Sequence, residues 1–217
     1  MFEGFLRESI VARAVKKGAC EINIVDLRDF GVGRWRKVDD KPYGGGPGML
    51  MMCGPWFDAV ESLAPGARTR IIMTSPAGKR FGQEDAEALS KCEHLVFMCG
   101  HYEGFDARVE TLATDKYSIG DFVMTGGELA AAAMVDSIVR LLPGVLGGGP
   151  AATANESFGR EGLLEAPQYT HPAEFRGMKV PAVLLEGDHA KVEAWKRYEA
   201  RKLTEAVRPD LLNPKGE

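Results

Sequence analysis

Two short runs, RIIMTS at 70–75 and HLVFMC at 94–99, are apolar on consecutive residues rather than on alternate ones. A strand of that kind must be covered on both faces. That is the condition of a strand in a parallel sheet with helices on either side. Each run is followed by a helical pattern: FGQEDAEALSKC after the first, and GHYEGFDARVE, a turn into a short helix, after the second; the extended stretch YSIGDFVM then precedes the strong helix GELAAAAMVDSIVRLL. Pro143 and Gly144 stop the latter helix. Strands alternating with helices predict an α/β fold with a parallel sheet. Ligands of such sheets sit beyond the carboxyl ends of the strands. Three loops leave those ends here: TSPAG, CGHYEG and IGDFVMTGGE.

The rest of the chain is arranged around this motif. Phe2, Phe5, Leu6, Ile10, Val11, Ala14 and Val15 recur at helical spacing, and Gly18 is a stop. INIV at 22–25 is β-prone, and PAGK at 76–79 reads as a turn closing the first strand. Residues 29–55 are glycine-rich, with enough Met and aromatic content to argue against disorder. Pro55 opens a helix running to about Leu63. Gly, Ala and Pro dominate 143–168, so the chain divides into an α/β domain over 1–146, a flexible linker over 147–168 and a small helical domain over 169–217. Asp188 is placed to cap the last long helix.

Several function classes are excluded. No run of about 18 apolar residues could span a bilayer, and the N-terminus has its acids before its basic residues, the reverse of a secretory signal. The cytoplasm is the expected location. Cys20, Cys53, Cys92 and Cys99 form no C-x-x-C pair, so reduced thiols are expected and a structural zinc is not. The formal net charge of −4 gives no global signal for nucleic acid, yet a local patch suffices. Candidate patches are Arg13, Lys16 and Lys17; Arg34, Arg36 and Lys37; Lys79 and Arg80; and Lys196, Arg197, Arg201 and Lys202. Taken singly, each also reads as a solvated face.

The glycine loops carry the sharpest chemistry. A glycine turn before a helix is an anion site when its N–H groups are free. Here no Lys follows Gly126 and Gly127, and Asp121 and Glu128 flank them. Those carboxylates would repel a pyrophosphate. No G-x-G-x-x-G follows a strand, which disfavours a dinucleotide-dependent oxidoreductase. The bland alternative is a pair of tight strand-to-helix turns with Glu103 and Asp106 as caps. Two such acidic loops in one sheet favour a neutral or cationic ligand.

The motifs DDKPYGGGPGMLM, SPAGKRF, CGHYEGFDARV, SIGDFVMTGGEL, DSIVRLLPGVLG, ESF with GLLEAPQYTHP, and VPAVLLEGDHAKVEAWKR follow one another from about Arg13 to Leu212. In this order they resemble bacterial tRNA (guanine(37)-N1)-methyltransferases of the knotted SPOUT class. The resemblance implies a trefoil-knotted parallel α/β domain that binds S-adenosylmethionine, a C-terminal helical domain that holds tRNA, and a homodimer with active sites at the subunit interface. Matched by motif, the cofactor residues are Thr74, Ser75 and Pro76; Gly100, Tyr102 and Glu103; Ile119, Gly120, Asp121, Phe122, Val123 and Met124; and Gly126 with Gly127. The family also uses Mg²⁺, although no metal-ligand cluster is visible in the sequence.

The resemblance assigns the catalytic roles as well. Ring nitrogen 1 of guanine carries a proton that a base must take, and the charge left on oxygen 6 calls for a cationic donor. The matching positions are Glu156 and Arg140. The family has Asp where this chain has Glu156, which keeps the carboxylate and adds a methylene. It often has Pro where this chain has Ala130, and it begins with a short apolar strand ahead of MFEGF. The expectation is therefore an upstream start or a missing strand. Two alternatives are weighed: a knotted methyltransferase acting elsewhere on RNA, against which Glu156 and YGGGPGM discriminate, and a binding protein without activity.

Overall fold

A computed structural model describes residues 1–148, 153, 156–159 and 161–212. The chain forms two compact units, Met1–Leu146 and Gly147–Glu217.

The first unit is built on a three-stranded parallel sheet. Its central strand is β3 (Thr69–Arg80), flanked by β4 (His94–Met98) and β5 (Asp115–Ser118). Successive residues of β3 point to opposite sides. Ile71 and Met73 pack with Trp56, Val60, Met98 and Val109. Ile72 packs with Leu89, Tyr117, Met134 and Ile138. One side is thus covered by α3 (Cys53–Ser62), the other by α4 (Gln83–Leu89) and α5 (Glu128–Val139). This double cover is why residues 71–74 are buried whichever way they face. The alanines of α5 suit the close approach, with Ala130 and Ala131 buried.

The register of β3 against β5 runs through Thr74–Tyr117, breaks, and resumes at Lys79–Tyr117 and Arg80–Ser118. Residues 75–78 are looped out of the ladder. Where the sequence predicted a turn ending the strand, the strand instead rejoins the same neighbour. Gly78 makes this possible, since a Cβ there would lie 2.5 Å from the Tyr117 backbone nitrogen. Asp85 fastens the return: it accepts from Lys79 Nζ at 2.6 Å, Gly82 N at 3.1 Å and Tyr117 OH at 3.2 Å. Burial, with the Asp85 charge nearby, pushes the Tyr117 hydroxyl up to about 12. Across the same pair of strands, Arg70 forks onto Asp115, donating from Nε at 2.7 Å and also from Nη2.

Two local readings need correction. The first apolar segment is two helices, α1 (Phe2–Arg7) and α2 (Ser9–Lys16), because the chain breaks at Ser9 with φ +54°. INIV forms no strand, and Ile24 and Val25 are exposed. Before α3 the glycine-rich segment makes a two-residue ladder, β1 (Asp39–Asp40) with β2 (Leu50–Met51).

In the second unit a small hairpin, β6 (Glu174–Phe175) with β7 (Met178–Lys179), precedes α6 (His189–Val207). The hairpin was not predicted. Its turn, Arg176–Gly177, has positive φ at both residues, the geometry of a two-residue turn. Asp188 caps α6 as expected, accepting from the Ala190 and Lys191 amides. Fully buried Thr204 accepts from Leu164 N at 2.9 Å and donates to Ala200 O, tying the segment at 164 to the helix.

The Arg70 fork holds the Asp115 carboxyl below the usual carboxylate range. Its stabilising effect is complete above the unfolded value near pH ~4 and is lost as pH falls through the lowered folded value. Asp115→Asn should therefore shrink the difference in urea midpoint between pH 7 and pH 3. Ile72→Ala, at a site with no exposure, should cost about 2–5 kcal/mol in the same assay.

Candidate functional site

The loops that leave the carboxyl ends of β4 and β5 meet in one cluster, over Thr74, where β3 loops out of its ladder. Gly127 N donates to Gly100 O at 2.7 Å, and His101 bridges Gly126 in antiparallel fashion. Thr74 Oγ1 donates to Met98 O at 3.0 Å, beneath that junction. Of the residues expected to hold a ligand, Thr74, Gly100, Gly126 and Gly127 thus form one connected floor. A Cβ on Gly127 would press on Thr74 Oγ1 and lie 2.9 Å from Gly100 N. On Gly100 it would lie 2.6 Å from the Phe105 ring, and on Gly126 it would meet Glu128 and, at 2.7 Å, His101 Nδ1. These glycines are demanded by loop-on-loop packing, where the sequence argument invoked room for a ligand.

Acids lie along these loops, and Glu128 touches the floor beside Gly126. Glu128 opens α5, and its carboxylate lies 3.7 Å from His101 Nδ1. Glu103 is exposed on the loop after β4. Asp121 is exposed on the loop after β5 and is engaged at 2.6 Å by Arg80, a cation the sequence reading did not connect to it. Ser118 Oγ turns the chain, donating to Gly120 O and accepting from Gly120 N. Ser75 Oγ accepts from Ala77 N within the looped-out segment, and Pro76 is exposed there. Ile119 packs against the Ile72 side of the core. Met124 is half-buried, and Phe122 and Val123 are exposed. Tyr102 sits at φ +57° and meets the His101 ring edge-on at 4.9 Å. A bulky residue held left-handed is a strained position of the kind found at functional sites. Under the floor, burial and then the Glu128 charge push the Cys99 thiol up to about 12, so it stays neutral.

The glycine-rich segment supplies another wall, which sequence reasoning singled out without placing it. Glu103 N donates to Met49 O, Met51 N to Gly104 O, and Asp106 N to Met51 O, all near 3.0 Å or shorter. His101 N donates to Met51 Sδ at 3.1 Å. Gly48, at φ +82°, lies directly against the Glu103 side chain. The signal in the sequence was the GGGPGM run itself. Asp106 closes this loop by accepting from Arg108, whose side chain holds the carboxyl down at about 2.

The two expected catalytic residues lie in different units. Arg140 caps the carboxyl end of α5 and is half-buried. It stands about 18 Å along the helix axis from Glu128, at about 1.5 Å per residue. Glu156 begins a turn closed by Gly159 N donating to Glu156 O at 3.0 Å. It lines a cavity of ≈ 750 Å³ with Glu165, Tyr169, Trp195 and Lys196. Among the described residues no group of three or more His, Cys, Asp or Glu is set to hold a metal ion, and no helix is long and apolar enough to cross a membrane.

Fold and loops together define an α/β protein with a composite, acid-rimmed site beyond the carboxyl ends of a parallel sheet. A family model described as tRNA (guanine-1)-methyltransferase TrmD matches residues 1–214. A tRNA (guanine-N(1)-)-methyltransferase of Geobacillus kaustophilus is 52% identical over 98% of this chain and 87% of its own length. One of Exiguobacterium sibiricum is 55% identical over 95% and 85%, and one of Geobacter sulfurreducens 50% identical over 98% and 87%. The chain belongs to the tRNA (guanine-1)-methyltransferase family and is a methyltransferase.

Gly127→Ala should force the two loops apart, at a cost of about 1–3 kcal/mol for overpacking, read as a lowered thermal midpoint. Cys99 should alkylate at pH 8 on the order of a thousandfold more slowly in the folded than in the unfolded protein, as followed by mass spectrometry of the Cys99 peptide.

Proposed function

We propose that the chain transfers the methyl group of S-adenosylmethionine to ring nitrogen 1 of guanosine 37 in tRNA, in the cytoplasm. The observation that carries this reading is the floor of Thr74, Gly100, Gly126 and Gly127, with Glu128 against it, in a chain that the family model matches over residues 1–214. The donor is a sulfonium and supplies an electrophilic methyl group. The residues present fit such a ligand, since Glu103, Asp121 and Glu128 place negative charge on the loops around it, as a cation requires. Tyr102, Ile119, Gly120, Phe122, Val123 and Met124, with Ser75 and Pro76, complete the proposed cofactor walls. Asp121 would exchange its Arg80 partner for the ligand's positive charge.

For the transfer, Glu156 takes the proton from ring nitrogen 1, and Arg140 stabilises the charge that moves to oxygen 6. Arg140 stands at the far end of α5 from the floor, and this distance supports a homodimer in which a second copy brings its Arg140 to each cofactor site. In this reading 147–168 is a linker and 169–217 holds the tRNA, and the strands of the first unit are threaded as a trefoil knot. Mg²⁺ enters with the RNA phosphates rather than in a cage of protein ligands.

The test is transfer of labelled methyl to a tRNA transcript with guanosine at position 37, against an adenosine-substituted control. Label should enter the guanosine transcript alone and map to that base. Arg140→Ala and Glu156→Gln should abolish turnover with cofactor affinity intact; loss of binding instead would remove them from the catalytic role. Asp121→Arg mixed with Arg140→Ala should recover activity that neither variant has alone. Absence of that recovery would mean that each copy works by itself.

A further inference from the structure

The basic patch at Arg34, Arg36 and Lys37 has no part in the reaction described above, yet the structure builds it with care. Val32 and Lys37 pair in antiparallel fashion, with Val32 N donating to Lys37 O at 2.8 Å and Lys37 N to Val32 O at 3.0 Å. Gly33 and Arg36 take positive φ at the corners of the turn they close. Arg36 is locked to the preceding helical turn, donating from Nε to Arg28 O at 2.8 Å and pairing with Asp29. Gly31 packs so closely on the Arg36 backbone that a Cβ would collide with it. The tip is therefore rigid, and its outer face is Trp35, 77% exposed, with the Arg34 guanidinium 4.4 Å from the ring centroid. Lys37 is tied to Asp40.

An indole of that size left in solvent on a fixed turn calls for an occupant. An aromatic face beside a guanidinium is the pair that unstacked RNA bases use, the ring for stacking and the cation for the neighbouring phosphate. The segment is continuous with the site, because it runs on into β1 and β2, and β2 docks on residues 100–106. We propose that the Arg34–Trp35 tip is a stacking platform for an unpaired base of the tRNA substrate, outside the loops that hold the methyl donor. This rests on the tRNA reading given above.

The experiment measures the affinity of full-length protein for the tRNA transcript as a function of salt, alongside S-adenosylmethionine affinity and sedimentation. Trp35→Ala should weaken tRNA binding by about tenfold, and Trp35→Phe should keep most of it. Arg34→Ala should reduce the slope of log affinity against log salt by about one. Donor affinity and oligomeric mass should not change in any of the three. Unchanged tRNA affinity in Trp35→Ala, with wild-type protein binding and methylating normally, overturns the platform and leaves the function standing. A change of oligomeric mass in Trp35→Ala overturns it as well, and makes the tip a contact between copies. Wild-type protein that neither binds nor methylates tRNA overturns both.

Discussion

The first unit depends on one strand being buried from both sides. β3 pairs with a neighbour on each edge, sends Ile71 and Met73 into one core and Ile72 into the other, and is buried on both faces over residues 71–74. Helices must then cover both faces, and the strand ends, where covering stops, must carry the loops. The site is a consequence of this arrangement. It forms where β4 and β5 end and β3 leaves its ladder after Thr74, and backbone groups left without a ladder partner find each other, as Gly127 N finds Gly100 O.

The glycines of these loops show how structure and chemistry share residues. Each is required by an immediate protein neighbour: Thr74 for Gly127, Phe105 for Gly100, the Glu128–His101 pair for Gly126. The close packing fixes the loops by contacts within the protein itself. The same economy appears in the ladder break at 75–78. Asp85, Lys79 and Tyr117 pull the strand back into register, so the looped-out residues are displayed from a rigid base.

The legible parts of the chain were those with a physical cause in the sequence itself. The double-sided apolar runs gave the parallel sheet, the capping acid Asp188 gave the start of α6, and the acid-flanked glycines pointed to the loop cluster. The illegible parts depended on partners distant in sequence. Ile24 and Val25 have strand propensity but find no neighbour to pair with. PAGK has turn composition, yet the ladder to β5 resumes across it because Tyr117 and Asp85 hold it. The hairpin at 174–179 is too short for periodicity to register. Arg80 and Asp121 meet across 41 residues, and nothing local announces it.

The sequence alone determined the class of fold, the family and the acidic character of the loops at the strand ends, because these follow from local pattern and from motifs read in line. Only the tertiary structure decided which glycines touch which side chains, where the GGGPGM segment docks, and that β3 rejoins β5 beyond the looped-out residues 75–78. Those are matters of distance between residues far apart in the chain. The pattern of a strand or a helix fixes which way a side chain faces, and leaves open what it will meet.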